Sequence, residues 1–161
     1  MELAVKTETR HYLKDWFRRH RTDELVAITL TGKNYFGKQS IDLIDAEENL
    51  RHFTNYLDRR LGTGSRTKKI LPKAFVMEVK NDRPHAHGVM VMPKGYSFSW
   101  LLENIINQCW NKTRYGWDQV QVDTEYDILE NAKSEVDSGW ISYMTKFENP
   151  EDFVCWQSTQ F

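Results

Sequence analysis

The stretch KAFVMEVKNDRPHAHGVMVM, residues 73–92, constrains the fold more than any other part of the chain. Two runs with apolar alternation flank the turn-forming cluster Asn81–Pro84, which predicts a β-hairpin. In a strand, residues two apart stand on one face. His85 and His87 therefore share a face and Ala86 takes the other. With Asn81–Pro84 as a four-residue loop, Lys80 pairs with His85. Glu78 then lies across from His87, with β-carbons roughly 4.5–5.5 Å apart. A one-residue slip would turn Glu78 to the opposite face.

Two imidazoles and a carboxylate on one face form a three-ligand metal site with positions open to substrate or water. Glu78, His85 and His87 are the expected ligands. The plain alternative is a pair of surface histidines with no ligand role. Gly88, beside His87, is expected to leave room for a close approach to the backbone.

The rest of the chain supplies a sheet and helices around this hairpin. Tyr12, Leu13, Trp16 and Phe17 recur at helical spacing within residues 5–20. LVAITLT (25–31) is a β-branched strand, and GKNYFGKQ (32–39) a glycine-bearing loop. DAEENLRHFTNYLDRRLG (45–62) reads as a helix capped by Asp45, striped by Leu50, Phe53 and Leu57, and stopped at Gly62. SFSWLLENIINQCWNK (97–112) gives a further helix, DQVQVDT (118–124) a further strand, and residues 135–147 a last helix. The order is βαββαβ plus a final helix. It predicts an α+β fold: a central antiparallel sheet of ferredoxin-like or RRM-like plan, with helices packed mainly on one face. A chain of 161 residues with 40% hydrophobic content is expected to be one domain, residues 1–161.

Charge is distributed unevenly although the net value is −1, too little for a general DNA-coating protein. Residues 59–73 carry six Lys or Arg and no acid, whereas residues 118–137 carry seven acids and one lysine. A basic loop attracts phosphates locally, and it can equally be no more than a solvated surface. Cys109 and Cys155 form no metal-knuckle spacing, and Cys109 sits among apolar helix residues as core. No apolar run is long enough to cross a membrane, and the N-terminal stretch lacks a signal-peptide core. The expected location is the cytoplasm, or the nucleus for a protein of a eukaryotic virus.

SGWISYMTKFENP (138–150) places Tyr143 and Lys146 on one face of a helix. A phenol titrates near about pH 10 and is a weak nucleophile at neutral pH unless a neighbouring cation favours the phenolate. The alternative is an amphipathic helix with aromatic core residues and a snorkelling lysine.

Together, AITLTG (27–32), His85-Ala86-His87 and Tyr143-Met144-Thr145-Lys146 resemble the three motifs of the HUH endonucleases, and among these the single-tyrosine rolling-circle replication initiators (Reps). The motifs stand in the family's order and span about residues 25–147. Ala86 replaces the family's bulkier middle residue, a change that a core-facing position tolerates. The resemblance implies a nicking and joining endonuclease for single-stranded DNA, recognising an origin hairpin or loop. His85 and His87 would hold Mn2+ or Mg2+, two imidazoles suiting manganese better, and Glu78 joins them from the hairpin geometry. Tyr143 would attack the scissile phosphate, forming a 5′-phosphotyrosine link, and Lys146 would stabilise its charge.

Under that model Arg59, Arg60, Arg66, Lys68 and Lys69 contact the DNA backbone, and Thr29 and Thr31 line the site. The aromatic RYGW (114–117) stacks a base or packs in the core. Full-length Reps often continue into a helicase domain. This chain has no GxxxxGK[ST] loop, so it is expected to be either a small stand-alone initiator or the excised nuclease domain of a longer protein, and a helicase is among the partners the resemblance implies. Three other readings stay open: a single-tyrosine transposase or relaxase-like enzyme, a hydrolase using metal-bound water, and a non-catalytic nucleic-acid-binding module. An RNA-recognition module needs aromatics on its central strands, and neither VAITLT nor HGVMVM supplies them.

Overall fold

The computed structural model describes residues 2–20, 23–33, 35–36, 39–62, 71–80, 83–96, 100–124 and 153–154. The fold is α+β. Its elements are α1 (Glu2–Arg19), β1 (Leu25–Gly32), β2 (Tyr35–Phe36), β3 (Gln39–Ser40), α2 (Leu43–Arg60), β4 (Lys73–Lys80), β5 (Arg83–Val91), α3 (Trp100–Asn111), β6 (Gly116–Thr124) and β7 (Phe153–Val154). Five strands form an antiparallel sheet in the order β6-β1-β5-β4-β7, and β2 and β3 form a separate two-stranded ribbon. All of that ribbon but Ser40 lies within residues expected to be loop. The expected helix over residues 135–147 lies outside the described residues.

Strands β1, β4 and β5 alternate, and each face of the sheet has its own cover. Val26, Ile28 and Leu30 of β1, Phe75 and Met77 of β4, and Ala86 and Met90 of β5 share one core with α2 and α3. On the opposite face, Leu25, Ala27, Ala74, Val76 and Val89 pack beneath Leu13, Trp16 and Phe17 of α1. Two of the three described helices thus lie on one face, and α1 takes the other. The expected stripe of α1 divides there: Leu13, Trp16 and Phe17 are buried, while Tyr12 is exposed.

Helix α2 starts earlier than its sequence suggests. Asp42 is the N-cap, its carboxylate accepting from the Asp45 backbone N–H at 2.8 Å. Asp45, the expected cap, stands in the first turn, where its charge suits the helix N-terminus. Gly62 has φ of 72°, the left-handed conformation that ends helices at low cost to glycine.

One ion pair is sealed inside this layer. Lys73, at the start of β4, has 0% exposure, and its Nζ donates to Asp58 of α2 and to the Leu71 carbonyl, both at 2.7 Å. Burial lowers the Lys73 pKa against the opposing pull of Asp58. At β6, a Cβ on Gly116 would sit 1.9 Å from the Trp110 carbonyl oxygen, so only glycine fits where the chain leaves α3.

Candidate functional site

The central strand β5 carries both histidines between β1 and β4. Its register with β1 pairs Thr29 with His87 and Thr31 with His85. Directly opposed residues of an antiparallel pair share a face, so these four side chains form one patch. The patch continues the face that α1 covers at its other end, where Ala27 pairs with Val89 and Leu25 with Val91. Thr31 and His87 are buried, and Thr29 and His85 are half-buried.

Each threonine meets one imidazole. Thr29 Oγ1 lies 3.3 Å from His87 Nδ1, and Thr31 Oγ1 lies 3.3 Å from His85 Nδ1. The two rings are parallel within 6°, with centroids 6.4 Å apart. On the core side the Thr31 carbonyl accepts from Trp110 Nε1 at 2.9 Å. The β1–β6 ladder shifts register between Leu30 and Gly32, so an irregularity lies beside Thr31. Such bulges recur beside functional sites, where they re-aim side chains.

The β4–β5 register differs from the expected one. Lys80 pairs with Arg83, Glu78 with His85, and Val76 with His87. The strands run on to Lys80 and resume at Arg83, so the connection is two residues, not four. Glu78 therefore stands across from His85 and not from His87. The displacement is an even number of residues, which preserves the face of every position. Position 78 remains on the histidine face of the ladder. Pro84 is compatible with this because it lies near the start of its strand.

Gly88 also serves a different end from the expected one. It pairs with Phe75, and a Cβ there would lie 2.2 Å from that ring. The space beside the glycine is filled from the core side by an aromatic, not left for a ligand. Ala86 is buried in the α2/α3 core, where a core-facing residue was expected.

Other expected site residues lie elsewhere or outside the described part. Tyr143, Lys146, Arg66, Lys68 and Lys69 are outside the described residues. Arg59 and Arg60 are exposed at the C-terminal end of α2, in the layer across the sheet from the histidines. They neighbour Asp58, which meets β4 at Lys73; His87 and His85 pair with positions three and five residues further along, about 10 and 17 Å at strand rise, and face the other side of the sheet. The geometry thus does not bring these two arginines to the histidines. Arg60 and Lys112 instead lie close enough to Cys109 to oppose the upward push of burial on its thiol. Of RYGW, Arg114 lies over the Tyr115 ring at 5.4 Å, and Trp117 is half-buried.

Among the described residues, no group of three or more His, Cys, Asp or Glu side chains is placed to hold a metal ion. The described donors are the two imidazoles, a kind that suits manganese or zinc. With bonds of about 2.1 Å, two nitrogens on one tetrahedral ion sit about 3.4 Å apart. Rings parallel and 6.4 Å apart must tilt toward each other to share an ion.

Two features had weaker sequence signals. Lys73 occupies the inward parity of β4 with Phe75 and Met77, which was a readable sign that its charge needed a buried partner. His20 lies 2.8 Å from Asp23 through Nδ1 and packs on Trp16, and its buried Nε2 has no hydrogen-bond partner among the described residues. Compared with family models, curated proteins and solved structures, the chain finds no match in any of the three.

Proposed function

We propose that this chain is a metal-dependent endonuclease of the HUH type that nicks and joins single-stranded DNA, with Tyr143 as the nucleophile. One observation carries the reading. The first and second motifs are far apart in sequence, yet they lie on neighbouring strands and pair residue for residue, Thr29 with His87 across 58 positions and Thr31 with His85 across 54. The strand order β6-β1-β5-β4, with α2 and α3 on one face, supports the finer reading of a ferredoxin-like split βαβ plan.

In this reading His85 and His87 bind a divalent cation, with Glu78 as the carboxylate partner. The cation, when bound, supplies Lewis-acid polarisation of the scissile phosphate. The Tyr143 oxygen attacks phosphorus. A new Oη–P bond forms, the P–O3′ bond breaks, and its electron pair stays on the 3′ oxygen. The phenol proton passes to solvent and the 3′ oxygen takes one up, leaving a free 3′-hydroxyl. Lys146 donates to a non-bridging phosphate oxygen as charge develops. The phosphotyrosine link conserves the diester, so attack by a 3′-hydroxyl reverses the step and joins strands. The substrate class is single-stranded DNA at an origin hairpin or loop, and the biological task is initiation of rolling-circle replication. A single-tyrosine transposase or relaxase would share this chemistry.

The test is a denaturing gel of the chain with a randomised single-stranded oligonucleotide pool and Mn2+. The reading predicts a slower protein band that survives denaturation, is absent with Tyr143→Phe and is strongly reduced with His87→Ala. Cleavage without any adduct in the wild-type chain would favour a water-using hydrolase. Neither cleavage nor adduct, with oligonucleotide still bound, would leave a binding module.

A further inference from the structure

We propose that Thr29 and Thr31 are positioning residues: their hydroxyl oxygens accept from the Nδ1–H of His87 and His85 and hold both imidazoles in the tautomer whose Nε2 carries the lone pair. The two contacts repeat one arrangement. In each, a β1 threonine faces its direct ladder partner on β5, and in each the ring nitrogen is Nδ1 at 3.3 Å. The rings stand parallel within 6°, as two side chains held in the same way would. His87 is only 4% exposed, and a buried imidazole nitrogen left without a partner is costly. Thr29 answers that need for Nδ1.

The threonines themselves are well anchored. Strand β1 is paired on both sides, by β5 and β6, and the Thr31 carbonyl is held by Trp110. A hydroxyl can donate to Nδ1 or accept from it, and the two choices give opposite rings. If threonine donated, Nε2 would carry the hydrogen and could bind no cation. If Nδ1–H donates, Nε2 is the basic nitrogen, the arrangement in which an outer hydrogen bond orients a metal-ligating histidine. The choice of tautomer rests on the metal-binding reading above, whereas the pairing of each threonine with its histidine does not.

The experiment has two readouts on the full chain. Long-range 1H–15N correlation spectra of the metal-free chain, at a pH above the imidazole titration, report each ring's tautomer. Mn2+ binding, followed by the loss of the free-ion electron paramagnetic resonance signal, reports affinity. The proposal expects the Nδ1–H form for both rings. Thr29→Val should disturb the tautomer of His87 alone and Thr31→Val that of His85 alone, and each should weaken Mn2+ binding about 10- to 100-fold. Serine at either position should restore both readouts, which a purely structural role would not require.

Wild-type rings in the Nε2–H form, or valine variants with unchanged tautomers and affinity, would overturn the proposal. The wild-type spectrum decides even if a valine variant fails to fold. A chain that binds no Mn2+ but shows the expected tautomers and their response to valine would sink the endonuclease reading and uphold the positioning role.

Discussion

The two faces of the central sheet are made by the same strands and have opposite characters. Beneath α2 and α3 the face is apolar from Val26 and Met90 at one end to Leu30, Ala86 and Met77 at the other, apart from Lys73, whose charge is met by Asp58. The opposite face is apolar only under α1 and then turns polar at Thr29, Thr31, His85 and His87. The difference shows how period-two alternation lets one hairpin serve two purposes. Residues 86, 88 and 90 of β5 pack into the α2/α3 core while 85 and 87 face the other way, and a one-residue slip would exchange the two sets.

If stability lies on the closed face, damage there should be the most severe. Phe75 packs edge-on against Phe53 and fills the space over Gly88. Phe75→Ala should cost about 3–5 kcal/mol in chemical denaturation. Asp58→Ala should cost a comparable amount, about 3–5 kcal/mol, because it strands the buried Lys73 ammonium. Adding Lys73→Met should recover most of that loss, and a double variant no better than the single one would refute the ion-pair account.

The same pair gives a pH signature. Burial lowers the Lys73 pKa. Between that lowered value and the usual lysine value, the unfolded chain binds more protons than the folded one. The Lys73 contribution to stability should therefore rise with pH through that interval, and Lys73→Met should abolish the rise.

Smaller changes sharpen the contrast further. Ala86→Leu inserts bulk into a filled core and should cost about 1–3 kcal/mol. Its neighbours one residue away on the display face should behave differently. Thr29→Ser keeps the hydroxyl that faces His87 and should change stability by less than about 1 kcal/mol. If Thr29→Ser proved as damaging as Ala86→Leu, the division of labour between the faces would be wrong.

Much of this contrast was legible in the sequence because alternation is a local property. It gave both histidines one face, sent Ala86 to the core, and aligned Thr29 and Thr31 for the same side. The register was not legible. Shortening the turn by two residues at its C-terminal end keeps every apolar residue on its face, so the hydrophobic pattern cannot distinguish Glu78 across from His87 from Glu78 across from His85. The cap of α2 was misplaced for a related reason, since Asp42 and Asp45 are both acceptable caps and only backbone geometry chooses between them. The placement of α1 on the histidine face depends on tertiary packing, and no local pattern encodes it. Gly88 reads as open space in a sequence and proves to be a seat for Phe75, a cross-strand neighbour.

The central claim is that the polar half of this face is a cation site built on His85 and His87. Calorimetric titration of Mn2+ into the wild-type chain and into the His85→Ala/His87→Ala double variant, with thermal unfolding of both, tests it most directly. The account predicts a single Mn2+ bound by the wild type, none by the double variant, and a folded double variant with a cooperative melt. Equal Mn2+ binding by the two chains, or none by the wild type, would contradict it.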